Sequence, residues 1–463
     1  MSMMPPITPE TRQRLVSKLV VSKLAPAGLV LGVVLRIACA FGPGAFVDDP
    51  DGYRLVAENL VTEGVFGYGT RPTAYRPPLY PLLLAALRPD WVGFAFRLAC
   101  CHLVLGLGTA AIVWVLGRRY GLGKYAVVPP ALVLVDPLLA AQSRLIMTET
   151  LAAFLVVATV AVWDFVLRRG VDRSPDGPAS DYRASRRTLA LGGAATGVLL
   201  ALTCLCRPTF LLWGAIGVVG LPMWAALGAH PTLLRAARWK RAVGLSAAIA
   251  VGMALGLSPW VARNVVRLGH PVVGTTHGGY TFYLANNPWF YRYLREGKSP
   301  VWDAEEFNAH WAAERRTCRG DEVCADRKAY QAAMRAIKND PAGFAWACVV
   351  RFGRFWSPLP HRLSSQESWE RTVVRGLIAA WYVGWGVVVL LGALKRWSSI
   401  GGRGVWETWL RLWPGIACVL ALSAAHTLFW SNMRMRTPLM PMLWLWAVWV
   451  VCGSVGMCSI QED

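Results

Sequence analysis

Long apolar runs alternate with short polar segments over almost the whole chain. A helix needs about 20 predominantly apolar residues to cross the hydrocarbon core of a bilayer, so each such run predicts one membrane-spanning helix. The runs lie near residues 25–45, 92–117, 125–142, 149–167, 188–206, 209–228, 242–262, 371–394, 412–431 and 438–457. The pattern predicts an all-α integral membrane protein with about ten transmembrane helices.

The polar segments between these runs differ in charge, and this difference predicts the orientation of the chain. Cytoplasmic loops of membrane proteins carry an excess of Lys and Arg. Five basic blocks fall on one side if the N-terminus is cytoplasmic. They are Arg12, Arg14, Lys18 and Lys23; Arg118, Arg119 and Lys124; Arg168, Arg169, Arg173, Arg183, Arg186 and Arg187; Arg235, Arg238, Lys240 and Arg241; Lys395, Arg396, Arg403 and Arg411. We therefore expect a protein of the cytoplasmic (inner) membrane with both termini in the cytoplasm.

Composition agrees with a membrane protein and argues against a nucleic-acid-binding one. Of the 463 residues, 55% are hydrophobic and 16% are charged, whereas a soluble domain has about 25% charged residues. The formal net charge of +21 could suit nucleic acid. Because the basic residues stand in short blocks between apolar runs, we assign the charge to orientation in a lipid bilayer and expect no nucleic acid partner.

Two segments on the predicted outer side are longer than a connection between helices requires, and long loops are usually functional or separately folded. They suggest a division into a transmembrane core (1–262) with a first outer loop (46–91), an outer-face region (263–370) and C-terminal transmembrane helices (371–463). The stretch 341–358 is short and contains two arginines. If it crossed the membrane, the last basic block would lie outside, so we interpret it as an interfacial helix.

Two of the 11 cysteines, Cys318 and Cys324, lie close together in the outer-face region. In an oxidising compartment this pair could close a small disulfide loop. Two unrelated thiols would explain the spacing equally well.

An acidic cluster follows directly after the first apolar run, in FVDDPDGYRLVAENL. It contains Asp48, Asp49 and Asp51. The next residues have the spacing of an amphipathic helix, and Asp49 could cap its start. Capping does not need three carboxylates. A carboxylate that is partly desolvated at a membrane boundary could instead have the raised basicity of a general base.

Further acids and arginines stand at the predicted outer ends of other spans. They are Arg76 in TAYRPPLYP, Glu149 at the start of the fourth span, Arg207 between the fifth and sixth, Arg263 and Asn264 after the seventh, and Arg434 and Arg436 before the last. For Glu149 the helix dipole offers an ordinary explanation, and Arg76 could be a simple interfacial cation. Taken together, the set suits a site that holds a lipid-borne phosphate with arginines and moves a proton with carboxylates.

These segments resemble the GT-C superfamily of membrane glycosyltransferases, in particular the branch that contains protein O-mannosyltransferases, the lipid A aminoarabinose transferase and related bacterial enzymes. The matching segments follow one another in the order of the family: DDPDGYRLVAENL, YRPPLYPLLL, MTETLAAFL, LTCLCRPTF, PWVARN with GGYTFYLANNP, and RTPLMPML. The resemblance implies a GT-C fold with interfacial helices in the first outer loop and a small outer-face segment after the seventh span.

The resemblance also implies an activity, namely inverting transfer of a sugar from a polyprenyl-phosphate donor to a hydroxyl of a glycolipid, polysaccharide or protein at the outer face. Asp49 falls on the position of the catalytic base, with Asp48 and Asp51 as neighbours that share or modulate its role, and Glu149 on a second acidic position. The residues expected near the donor phosphate are Arg76, Tyr75, Arg207, Arg263, Asn264, Arg434 and Arg436. Tyr75 stands where the aminoarabinose transferase has a glutamate near a metal, so no cofactor is certain and a divalent metal remains open.

A transporter or flippase of lipid-linked or anionic substrates is the main alternative. Such a protein is expected to carry ionisable residues at mid-membrane depth. The predicted spans are mostly free of them; Arg36, Arg97, His102 and His426 are exceptions, and each could snorkel or pack. A catalytically silent scaffold of the same fold is a further alternative.

Overall fold

The computed structural model describes residues 20–171, 186–227, 232–297, 299, 301–362, 364, 366–397 and 404–454. Several members of the predicted basic blocks lie outside the described residues, namely Arg12, Arg14, Lys18, Arg173, Arg183 and Arg403.

The described chain is almost entirely helical. Its helices are α1 (Ala25–Phe41), α2 (Tyr53–Glu63), α3 (Leu79–Ala86), α4 (Phe94–Arg119), α5 (Val128–Val135), α6 (Pro137–Gln142), α7 (Glu149–Val166), α8 (Gly193–Cys206), α9 (Leu211–Leu227), α10 (Thr232–Leu268), α11 (Gly278–Ala285), α12 (Pro288–Glu296), α13 (Glu305–Arg316), α14 (Glu322–Asn339), α15 (Pro341–Trp356), α16 (Trp369–Trp397), α17 (Gly404–Leu428) and α18 (Met440–Ser454). Two short antiparallel strands, β1 (Gly67–Tyr68) and β2 (Arg71–Pro72), form a hairpin in the first outer loop.

Every predicted apolar run contains helix, and seven helical stretches in the described chain are long and apolar enough to cross a membrane. These are Phe94–Arg119, Glu149–Val171, Thr188–Cys206, Pro208–Ala226, Ala236–Leu268, Trp369–Lys395 and Met433–Cys452. The apolar helices Ala25–Phe41 and Gly123–Val135 are shorter. A helical, multi-span architecture is thereby confirmed, while the number of ten spans and their orientation remain predictions.

The run near 125–142 differs from the single helix that its hydropathy suggests, because it is broken between α5 and α6. Asp136 stands at the break and caps α6 by accepting a hydrogen bond from the backbone N–H of Leu139 (2.7 Å). The guanidinium of Arg36 donates to backbone carbonyls around the break, those of Val133, Leu134 and Leu139. Pro137 cannot continue the hydrogen-bond ladder of α5, and Arg36 satisfies carbonyls that the break leaves free.

Other ionisable side chains within the bundle also bond to nearby groups. Arg97 donates to the carbonyl of Leu87 (2.8 Å), and the ring nitrogens of His102 lie 3.1 Å from the Tyr80 hydroxyl and 3.0 Å from the Ser143 carbonyl. These contacts give Arg36, Arg97 and His102 local structural roles.

Helix α7 lies in the interior of the bundle. It is apolar around its whole circumference, which is typical of a fully buried helix, and side chains along it such as Val156 and Trp163 have no exposed surface. Its two ends carry the acids Glu149 and Asp164, both buried. The position of α7 therefore brings a carboxylate into the protein interior at each end of the bundle.

At the Asp164 end, the predicted cytoplasmic segments come together. Asp164 lies 2.9 Å from Arg168 and 3.9 Å from Arg119, and the Tyr120 hydroxyl donates to the backbone carbonyl of Arg411 (3.3 Å). The basic loops after α4 and α7 and the basic residue in α17 thus share one end of the bundle. Glu149 marks the other end.

The outer-face region folds into a small group of helices, α11–α15. A disulfide between Cys318 and Cys324 closes the turn between α13 and α14. Helix α15 is amphipathic: Arg351 is buried and donates to the carbonyl of Thr427 (2.7 Å), whereas Trp346 and Phe352 are exposed. The placement of α15 at a membrane interface remains a prediction.

Candidate active site

A cavity of about 1060 Å³ lies at the end of the bundle where α7 begins. Its wall combines three sources: the first outer loop, the ends of membrane-spanning helices, and the outer-face helices. The charged and aromatic lining residues are Asp51, Tyr53, Tyr75, Arg76, Glu149, Arg207, His277, Tyr280, Trp311, Arg315, Tyr330, His426, Phe429, Trp430 and Arg434. Four arginines face two carboxylates, so the wall is cationic and suits an anionic ligand.

Asp49 and Asp51 of the acidic cluster have different contacts. The Asp49 carboxylate accepts hydrogen bonds from the backbone N–H groups of Tyr53 (2.9 Å) and Arg54 (2.8 Å), and it therefore caps α2. Asp51 lines the cavity, and its Oδ1 lies 3.3 Å from Nη2 of Arg76. Burial raises the pKa of Asp49 above its ordinary value, although its backbone hydrogen bonds oppose the shift. Asp48 is exposed.

Arg76 is held in place by aromatic rings. Its guanidinium carbon lies 5.6 Å from the ring centre of Tyr53 and 5.2 Å from that of Tyr75, both within the range of a cation–π contact. The chain turns at Pro77 and Pro78, and α3 starts directly after them. Burial raises the pKa of Tyr75 to about 12, so its phenol stays neutral.

Glu149 lies between two arginines that come from distant parts of the chain. Its Oε1 is 3.3 Å from Nη1 of Arg207 and 3.2 Å from Nε of Arg434, and its side chain is 1% exposed. Arg207 directly follows α8, and Arg434 lies in a short 3-10 helix, Met433–Leu439, before α18. Because two guanidinium groups share one carboxylate, this cluster has one positive charge in excess.

His277 lies beside Tyr75 and was not among the candidates from the sequence. Their ring centres are 4.4 Å apart, and the ring of Tyr280 follows at 5.3 Å from His277. Burial, and then the positive charges of Arg76 and Arg315, lower the pKa of His277 to about 3. The imidazole is therefore neutral at physiological pH. The segment GTTHGGYTFYLANNP, rich in Gly, Thr and aromatic residues, was the available signal.

The cavity wall contains buried polar atoms that have no hydrogen-bond partner among the described residues. They are Nε of Arg76, both carboxylate oxygens of Glu149, Nη1 of Arg207, Oγ1 of Thr209, Nδ1 of His277, Nε2 of His426 and Nε of Arg434. Buried polar groups in proteins are normally hydrogen-bonded. Oε1 of Glu149 forms ion pairs with Nη1 of Arg207 and Nε of Arg434, and the other atoms of this set can bond to a polar group in the cavity.

Five of the sequence candidates lie outside the cavity lining: Asp48, Asp49, Arg263, Asn264 and Arg436. Arg263 donates to the backbone carbonyls of Thr73 and Phe66 (both 2.8 Å), so it ties the end of α10 to the first outer loop. Asn264 accepts a hydrogen bond from Arg263 (2.8 Å). Arg436 is buried and donates to the carbonyl of Ser357 (2.8 Å). The contacts of Arg263, Asn264 and Arg436 support the structure around the cavity, Asp49 caps α2, and Asp48 is exposed.

The described residues do not include a group of three or more His, Cys, Asp or Glu side chains placed to hold a metal ion. The cavity carboxylates Asp51 and Glu149 pair with arginines instead.

The chain has a distant structural likeness to a protein of known structure. No protein-family model matches the chain, and no curated protein matches it. Among solved structures, the chain is similar to the oligosaccharyltransferase of Archaeoglobus fulgidus, crystallised with a tethered acceptor peptide, at 12% sequence identity and a TM-score of 0.49. The likeness covers 94% of this chain and 50% of the other, so the chain spans about half the length of that enzyme.

Proposed function

We propose that the protein is a membrane glycosyltransferase with a GT-C type of fold. It transfers a sugar from a polyprenyl-phosphate donor to an acceptor hydroxyl at the outer face of the cytoplasmic membrane. The observation that carries this proposal is the cavity itself, in which four arginines and two carboxylates come together from the ends of apolar helices, the first outer loop and α13.

The cluster of Arg207, Glu149 and Arg434 is suited to bind the donor phosphate. It has an excess positive charge, because Nη1 of Arg207 and Nε of Arg434 both pair with the single carboxylate of Glu149 (3.3 and 3.2 Å). Arginine binds phosphate oxygens through several N–H groups at once. Leu211 and Leu212, at the start of the membrane helix α9, also line the cavity and offer an apolar surface to the first part of a lipid chain.

Asp51 is suited to act as the general base, because it is the carboxylate of the acidic cluster that lines the cavity. It takes the proton of the acceptor hydroxyl while the acceptor oxygen forms a bond to the anomeric carbon. The bond from that carbon to the phosphate oxygen breaks, and its electron pair stays on the phosphate. A single displacement of this kind inverts the anomeric configuration.

The departing polyprenyl phosphate gains one negative charge during this step. Arg207 and Arg434 therefore bind it more strongly in the transition state than in the bound donor. Fixed cations at the point where charge develops are usually a large part of catalysis. Asp49 supports the reaction by fixing the start of α2 and, with it, the position of Asp51.

The proposal is tested with membranes that contain the protein and a polyprenyl-phosphate donor labelled in its sugar. We expect label to leave the lipid fraction and appear in an acceptor fraction, and we expect Arg207→Gln to lower this rate strongly. The matched control is Arg292→Gln, because Arg292 forms an exposed ion pair with Glu306 and does not line the cavity. Label that crosses the bilayer still attached to its lipid, without transfer, would establish the transporter alternative.

Glu322 is expected to act as a positioning residue for Arg76. Its carboxylate accepts hydrogen bonds from the Thr73 hydroxyl (2.5 Å) and the backbone N–H of Ala74 (2.6 Å), directly before Tyr75 and Arg76. Hydrogen bonds to a charged group contribute about 1.5–3 kcal/mol. Glu322→Gln should therefore lower kcat/KM of sugar transfer by roughly 10–100-fold.

The Glu322 prediction is checked with steady-state kinetics next to a thermal unfolding curve. Glu306→Gln is the matched control, since Glu306 is an exposed acid of the neighbouring helix α13. If Glu322→Gln lowered only the unfolding temperature and left kcat/KM intact, the positioning role would be wrong.

A further inference from the structure

The outer-face helices form a part of the cavity wall that the proposed chemistry does not use. This part comes from α11, α13 and α14, and it contributes Tyr280, Trp311, Arg315 and Tyr330 to the lining. The disulfide between Cys318 and Cys324 joins α13 to α14. The wall is thus a cross-linked surface that faces the same cavity as the donor-phosphate cluster.

Aromatic rings run along this wall in an unbroken series, which we call the aromatic ladder (Tyr75, His277, Tyr280 and Trp311). Successive ring centres are 4.4, 5.3 and 6.2 Å apart. The ladder begins beside Arg76, which pairs with Asp51, and ends on α13. A ligand lying along it would have one end at the proposed base.

The chemistry of the ladder suits a carbohydrate. A pyranose ring has a flat apolar face of C–H groups and an edge of hydroxyls, and aromatic side chains offer an apolar face together with polar tips. Pockets of this type use a few buried polar groups to orient the ligand. Nδ1 of His277 is buried and has no hydrogen-bond partner in the described chain, and the neutral imidazole can bond to a hydroxyl.

Arg315 adds a charge to the end of the ladder. It lies four residues after Trp311 on α13, so both side chains stand on the same face of that helix. It lines the cavity and is exposed. Among the residues that the structure describes, it has no ion-pair partner. A free arginine at the wall of a polar cavity suits a carboxylate or phosphate group on the ligand.

We propose that the aromatic ladder and Arg315 form the acceptor subsite, and that the acceptor is a carbohydrate bearing an anionic group. This inference rests on the proposed transfer reaction and names its acceptor class. The sugar ring stacks along the ladder, the carboxylate or phosphate binds Arg315, and the reacting hydroxyl points toward Asp51.

The test measures binding in the absence of donor, with the full chain purified into lipid nanodiscs. The probes are a neutral trisaccharide, the same trisaccharide with one carboxylate, and the same trisaccharide with one phosphate monoester. Isothermal titration should show that at least one acidic probe binds the wild type about tenfold more tightly than the neutral probe. Which acidic probe binds better identifies the anionic group.

Two variants assign the binding to this wall. Arg315→Gln should abolish the preference for acidic probes, whereas Arg316→Gln should keep it, because Arg316 is an exposed neighbour that does not line the cavity. Tyr280→Leu should weaken the binding of all three saccharides. An unchanged unfolding temperature is the check on folding.

Equal affinity of the wild type for acidic and neutral probes would overturn the inference, as would loss of the preference in Arg316→Gln. Binding of a serine-containing peptide in place of every saccharide would also overturn it. Since no donor is present, the binding result is independent of sugar transfer. Saccharide binding without any transfer would count against the proposed function alone.

Discussion

Asp51→Asn is expected to lower the rate of sugar transfer by about 10²–10⁴-fold, the usual contribution of a general base. The amide keeps the size of the side chain but cannot take the acceptor proton. Folding should change little, because the Asp51 side chain is 28% exposed and a partly exposed ion pair contributes at most about 1 kcal/mol. The measurement is single-turnover transfer from a labelled polyprenyl-phosphate sugar, beside a thermal unfolding curve.

Two companion variants make this prediction specific. Asp49→Asn should change transfer and stability little, because asparagine caps helices about as well as aspartate, whereas Asp49→Ala should lower stability by about 0.5–2 kcal/mol. Glu58→Gln should leave transfer unchanged, since Glu58 only pairs with Arg54 along α2 and does not line the cavity. Full transfer by Asp51→Asn together with none by Asp49→Asn would assign the base to Asp49.

Glu149→Gln is expected to destabilise the protein, with an effect of about 3–5 kcal/mol if the pairs behave as fully buried ones. The substitution removes the carboxylate that Arg207 and Arg434 share and leaves two guanidinium groups without a counter-charge. An anion bound in the cavity can replace that charge. Addition of polyprenyl phosphate should therefore raise the unfolding temperature of this variant more than that of the wild type.

Asp164→Asn is the matched control for Glu149→Gln. Asp164 is also buried, lies on the same helix α7 and pairs with Arg168 and Arg119, but it does not line the cavity. The Asp164→Asn variant should have a lowered unfolding temperature, and polyprenyl phosphate should not raise it again. Equal recovery of both variants would show that the lipid stabilises the bundle in general and would contradict a phosphate site at Arg207 and Arg434.

The sequence predicted the helices because each membrane helix requires a run of about 20 apolar residues, which is easily recognised. It also pointed to Arg76, Glu149, Arg207 and Arg434, since a charge at the end of an apolar run stands out. The sequence did not predict the helix break at Asp136, because the residues around it are as apolar as those of a continuous span. It depends on Arg36, about a hundred residues away, which satisfies the freed carbonyls.

The sequence does not show the direction and the distant partners of side chains. Asp49 and Asp51 are two positions apart, and only the fold distinguishes the one that caps α2 from the one that lines the cavity. Arg263 looks like a ligand-binding cation in the sequence, yet its donors are satisfied by carbonyls of the first outer loop. His277 directly precedes the segment GGYTFYLANNP, but its position at the cavity comes from the packing of Tyr75 against it.

The length of α10 ties the donor site to the body of the bundle. With 37 residues the helix is about 55 Å long at 1.5 Å per residue, far longer than the roughly 30 Å hydrocarbon core. Its apolar run, 242–262, has the length of that core, so the helix continues beyond the run at both ends. Arg263 stands just after the run and fastens α10 to the loop that carries Arg76. A single continuous helix therefore serves both as a membrane element and as the support of a cavity wall.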